Sequence, residues 1–183
     1  MRRRITRPVL AVAALAFLLT AGAGLYVFEP WKAFTDTAVD DALPTVAISA
    51  PAAPPTAGPS STPLPDRGPA DLRRGGFVSG EHATTGDARL IRLADGSTVL
   101  RLENLATSEG PDVRVYLSTR PAAESKLDSL GSDAVELGSL KGNLGNQNYA
   151  VPAGIDLTRV RSAVIWCKRF SVGFGAADLT TPV

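Results

Sequence analysis

The chain has 183 residues, 44% hydrophobic and 20% charged, with a formal net charge of +1. That figure hides an asymmetry, because residues 1–74 carry +2 and residues 75–183 carry −1. The C-terminal part lacks the clustered Lys and Arg that track phosphates, which speaks against nucleic acid as a partner. Cys167 is the one cysteine and His82 the one histidine. Together they exclude an internal disulfide, a four-ligand Cys/His structural zinc site and a c-type haem attachment motif, so no metal site is expected.

Arg2, Arg3, Arg4 and Arg7 precede an uncharged run, Pro8 to Phe28. Its length matches the roughly 20 residues that cross the hydrocarbon core as a helix. Glu29, Asp36, Asp40 and Asp41 follow, against one Lys32. The positive-inside rule then leaves the N-terminus in the cytoplasm, with everything after Phe28 outside. Tyr26 and Trp31 suit the outer headgroup level. A cleaved signal peptide is the rival reading, with an apolar core Val9–Leu19 and small residues Ala21-Gly22-Ala23. The apolar run resumes at Leu25–Phe28, which favours an uncleaved signal-anchor. Both readings place residues 75–183 outside the cytoplasm, and residues 8–28 make the membrane the first expected partner.

Residues 29–74 hold nine prolines, including Pro54-Pro55 and Pro63-Leu64-Pro65. Few large apolar residues follow Trp31 and Phe34. Such a segment cannot bury enough surface to offset its ordering entropy, so a disordered Pro/Ala-rich linker is expected, acting as a tether or spacer.

Residues 75–183 read as one folded domain. Ala88–Leu93 and Ser97–Glu103 flank Ala94-Asp95-Gly96, a hairpin signal. Asp112–Ser118, Ala134–Leu137, Gln147–Val151, Ala163–Lys168 and Phe170–Phe174 read as further short strands, and only Pro121–Leu130 looks helical. Short strands separated by Gly and Pro predict an all-β fold, a single small antiparallel sandwich or barrel-like domain.

Several residues are candidates for chemistry. Ala163, Ile165 and Cys167 share one strand face, which makes the cysteine a small buried hydrophobe. The other reading is a redox thiol, its pKa depressed by Lys168 and Arg169. His82, in Ser79-Gly80-Glu81-His82, is a turn histidine, a base for an activated Cys167, or a single axial haem ligand. One histidine cannot ligate haem twice within a monomer, so haem enters only through that single ligand or a partner. No Gly-x-Ser-x-Gly elbow occurs, and Glu103, Glu109, Asp112 and Asp178 suit solvated or turn-capping roles. The segment 137–149 packs glycines between amides and ends on Tyr149. It reads either as an anion-binding backbone nest or as a tight hairpin leading into a strand. Its Lys141, Asn143, Asn146, Gln147 and Tyr149 are the binding-loop candidates.

The ordered motifs Gly76-Phe77-Val78-Ser79-Gly80-Glu81-His82, Thr107-Ser108-Glu109-Gly110-Pro111-Asp112-Val113, Leu140-Lys141-Gly142-Asn143-Leu144-Gly145-Asn146-Gln147-Asn148-Tyr149 and Val164-Ile165-Trp166-Cys167-Lys168-Arg169-Phe170 carry a family likeness. Over residues 76–179 the chain resembles DM13 domains, often called electron-transfer DM13. The resemblance implies a β-rich, usually extracytoplasmic module. It also implies a part in redox or electron transfer, with the family's characteristic cysteine, matched here by Cys167, as the candidate redox group. In animal proteins such domains often accompany haem-associated DOMON domains, and this chain carries no such domain. An electron-transfer role therefore expects a separate redox protein as partner. A lone thiol cannot store two electrons as an internal disulfide, which leaves sulfenic acid or a mixed disulfide. The alternative is a non-catalytic envelope interaction module with Cys167 in its core. Either way the chain reads as a redox accessory or binding domain rather than a standalone enzyme.

Overall fold

The computed structural model describes residues 7–29, 31, 35–44, 69–125 and 129–182. The expected disorder of the spacer falls largely on residues 45–68, outside the described residues. Arg7–Phe28 form helix α1. From Val9 onward it has a mean hydropathy of 2.1 and no buried residue, so it is long and apolar enough to cross a membrane.

Among the described residues after it, the strands form one curled nine-stranded sheet. In chain order its strands are β1 (Ala38–Asp40), β2 (Ala70–Ser79), β3 (Thr85–Arg92), β4 (Thr98–Ala106), β5 (Val113–Ser118), β6 (Val135–Ser139), β7 (Leu144–Ala150), β8 (Ser162–Cys167) and β9 (Val172–Asp178). Across the sheet the order is β1-β7-β4-β3-β2-β9-β8-β5-β6. Every pairing is antiparallel except β1 with β7. Strand β2 makes the corner: Ala70–Gly76 pair with β3 and Phe77–Ser79 pair with β9. The sheet therefore folds over itself into a half-barrel, and the all-β expectation holds.

Alternation along the strands fills the space between the two halves. Leu90, Leu100 and Leu102 come from β3 and β4, and Val115, Leu117 and Ile165 from β5 and β8. Tyr149 and Phe174 belong to the same core. Burying each large side chain contributes about 1.5–3 kcal/mol. On the outer side of β8, Val164 and Trp166 pack with Tyr116, Ala176 and Ala122. Ala122 belongs to the short helix α2 (Ala122–Ser125), whose first N–H, that of Ala122, is accepted by Asp178 Oδ1 at 2.7 Å. All six residues of β8 are consequently buried.

Four expectations change. The helix expected over Pro121–Leu130 amounts to α2 among its described residues. Phe170 does not begin a strand. Residues 168–171 reverse the chain between antiparallel neighbours β8 and β9, with Ser171 at φ 54° and Phe170 exposed. Segment 137–149 is not a hairpin, because β6 pairs with β5 and β7 with β4. Its glycines carry the chain from one half of the sheet to the other. Finally, the sheet reaches into the expected spacer: Ala38–Asp40 and Ala70–Arg74 are strand residues.

Candidate functional site

Cys167 ends β8 on its inner face and is fully buried among the core side chains. Its strand lies between β5 and β9, pairing Cys167 with Val113 and with Val172. The two neighbouring cations turn elsewhere. Lys168 Nζ donates to Glu136 Oε2 at 3.0 Å, and the Arg169 guanidinium donates to the Val27 carbonyl at the end of α1. His82 lies half-buried against the Phe174 ring, 3.9 Å between centroids. Among the described residues no hydrogen bond links His82 to Cys167.

The amide-rich segment behaves differently. Alternation on β7 sends Gln147 and Tyr149 inward and Asn146 and Asn148 outward. Gln147 Nε2 donates to the Gly142 carbonyl at 2.6 Å, and its Oε1 accepts from the Tyr149 hydroxyl at 2.7 Å. The Lys141 N–H reaches both the Tyr149 hydroxyl, at 3.0 Å, and Gln147 Oε1, at 3.2 Å. These two buried side chains brace the 140–142 loop from inside. Burial holds the Tyr149 phenol well above its ordinary range, so it stays a neutral donor.

The outward set grips a strap, residues 35–44, whose middle is β1. Its register against β7 runs Ala38 to Leu144, Val39 to Gly145 and Asp40 to Asn146. Asn143 is buried and accepts the Thr37 N–H on Oδ1 at 2.6 Å, while its Nδ2 donates to Asp36 Oδ1 at 2.7 Å. Asn146 Nδ2 donates to Asp40 Oδ1 at 2.7 Å. Asn148 donates from its backbone to Asp41 Oδ2 at 3.1 Å and from Nδ2 to the Ala42 carbonyl at 2.7 Å. Lys141 Nζ lies 2.5 Å from Asp41 Oδ2, and the nearly buried Arg101 donates to the Asp41 carbonyl at 3.0 Å.

Two glycines make room for this backbone. A Cβ on Gly142 would overlap the Thr37 carbonyl oxygen, and one on Gly145 would overlap that of Val39. Gly145 also sits at φ +98°, which side-chain-bearing residues rarely adopt. Asp41 is partly desolvated, which alone would raise its pKa. Hydrogen bonds from Lys141 and from the Asn148 N–H, with the charges of Lys141 and Arg101, outweigh that and hold its carboxyl below the usual value. Beside the strap a polar cleft of about 370 Å³ opens between Thr37, Glu109, Arg114 and Lys141.

All five binding-loop candidates therefore fall in one place, Lys141, Asn143 and Asn146 on the strap and Gln147 and Tyr149 beneath it. Sequence reasoning missed Arg101, Asn148 and the strap's Asp36, Asp40 and Asp41. The three aspartates registered only as charge beyond the apolar helix. The usable signal was their spacing opposite a run of alternating amides.

The fold and this edge define a small all-β module that holds an extended acidic segment along β7. The family model described as electron transfer DM13 matches residues 76–179, more than half of the chain, and the chain belongs to that family. No curated protein and no solved structure matches it.

Proposed function

We propose that this protein is a membrane-tethered extracytoplasmic DM13 domain. It serves electron transfer as an accessory that docks a redox protein, rather than by cycling its own thiol. The observation that carries this reading is the place of Cys167. It is buried at the end of a strand whose two faces are both packed, with no cation or histidine bonded to it among the described residues. A thiol exchanges electrons through an accessible thiolate. Bringing this one out would mean parting β8 from β5 or β9. Family membership supports the electron-transfer context. Helix α1 supports the tether, and the Arg residues before it support an outward-facing domain. The polar edge of β7 and the adjoining cleft offer the surface a partner would meet.

The test uses the full chain in intact cells. A photo-crosslinking residue replaces Glu109, at the mouth of the cleft. The expected product is an adduct with a protein carrying haem, flavin or another redox centre, and protease added from outside degrades the domain. Crosslinking confined to proteins without a redox centre, or a domain shielded from external protease, would overturn the reading.

A further inference from the structure

The strap is a ligand that the chain supplies to itself. The groove residues whose side chains touch it, Arg101, Glu109, Lys141, Asn143, Asn146 and Asn148, lie with the two glycines inside the family match of residues 76–179. The strap lies outside it. Contact is by backbone pairing along β7 and by side-chain capture of three carboxylates, the two ingredients of strand addition to a sheet edge. Pairing covers only three residue pairs, and Thr37 and Asp40 remain exposed at the rim. So short a strand at an exposed edge opens at far lower cost than the core.

We propose that the β7 edge is a receptor for an extended acidic strand. Residues 35–44 fill it in cis, and a partner's strand with carboxylates spaced like Asp36, Asp40 and Asp41 fills it when they leave. This deepens the docking reading above by naming the recognition chemistry of the partner, and it rests on that reading only for the partner's redox identity. Neutral amides, Lys141 and Arg101 favour carboxylates at the places of Asp36, Asp40 and Asp41, while Glu109 takes the hydroxyls of Thr35 and Thr37; the Gly142–Gly145 cradle favours a backbone over a bulky small molecule.

Release would also lengthen the tether. With the strap docked, only residues 29–34 separate it from α1, a reach of at most about 25 Å. The placement of Phe28 against Phe170, 6.1 Å between ring centroids, agrees with that short leash. With the strap released, residues 29–69 reach up to about 130 Å if extended as polyproline II. A docked strap thus holds the domain near the membrane, and a partner strand that displaces it lets the domain out.

The test uses the full chain in lipid nanodiscs and a fluorescent peptide with the sequence of residues 35–44. A cis segment on a linker of this length competes at an effective concentration on the order of millimolar. The wild type should therefore bind the peptide at least about tenfold more weakly than D36N/D40N/D41N, whose own strap is neutralised. A peptide carrying the same three substitutions should bind neither. A triple variant that is folded, as shown by a single cooperative unfolding transition, and binds no acidic peptide overturns the proposal. The wild type alone supplies a second measurement. Amide hydrogens of 38–41 should exchange more slowly than an unstructured chain yet faster than those of β8, and exchange at the unstructured rate overturns the proposal whatever the variant does. Peptide binding without a redox partner at Glu109 would sink the docking function and leave the receptor standing; the reverse would do the opposite.

Discussion

Strands β8 and β7 lie in the same sheet, each carries part of the family pattern, and they do opposite work. β8 is hemmed in by β5 and β9 and packed on both faces, so all six of its residues are buried. β7 has β4 on one side and only the three-residue β1 on the other. The first packs Cys167 into the core. The second turns its amides to the strap. A residue type says little about its chemistry until its neighbours are known.

The largest effect that would sharpen this contrast is in the core. Ile165→Ala, on the inner face beside Cys167, should cost about 2–5 kcal/mol, because the residue is fully buried and its removal leaves a cavity. Urea unfolding followed by Trp166 fluorescence reads it. Next, Cys167→Ser should destabilise the domain by about 1–3 kcal/mol, since it buries a hydroxyl among apolar side chains. Cys167→Ala, which buries no polar atom, should cost less. Equal stability of all three proteins would place the sulfur at a surface and break the comparison.

Asn143→Ala removes the groups that hold Thr37 and Asp36 and leaves the Thr107 carbonyl without the donor that Asn143 provided. It should cost about 1–2 kcal/mol. The loss should appear in the hydrogen exchange of residues 38–41, with β8 unchanged. The smallest effect is a pH dependence. Asp41 titrates below its ordinary value when docked, so its contribution is fully present above about pH 4 and is lost as pH falls through the depressed value. Protection of the strap, corrected for intrinsic exchange, should be flat from pH 7 to 5 and fall toward pH 3. A fall already complete by pH 5 would mean that Asp41 is not held by Lys141 and Arg101.

Much of the fold was legible because it rests on local signals. The hairpin at Asp95-Gly96 is there, with the Leu93 N–H bonded to the Ser97 carbonyl at 2.9 Å and Ser97 N–H to Asp95 Oδ1 at 2.9 Å. The period-two pattern of Val113, Val115 and Leu117 became an inner face. The inward phase of Ala163, Ile165 and Cys167 was equally plain. What stayed hidden depends on contacts distant in sequence. The glycines of 138–145 signal a turn, but whether the next strand returns to its neighbour or crosses to the other half is settled by the whole sheet. The strap was harder still: Asp36 meets Asn143 across more than a hundred residues, and a three-residue strand amid polar sequence has no periodicity to read. His82 and Cys167 illustrate the same limit, since residue types suited to a catalytic pair carry no information about whether the fold joins them.

The most direct measurement is the rate at which a thiol reagent labels Cys167 in the intact protein in nanodiscs, followed across pH and denaturant. Labelling should be negligible under native conditions and rise with denaturant in step with global unfolding, giving one thiol only once the domain is open. Fast native labelling, with a midpoint well below the free-thiol value of about 8.5, would contradict the account and return electron transfer to Cys167 itself.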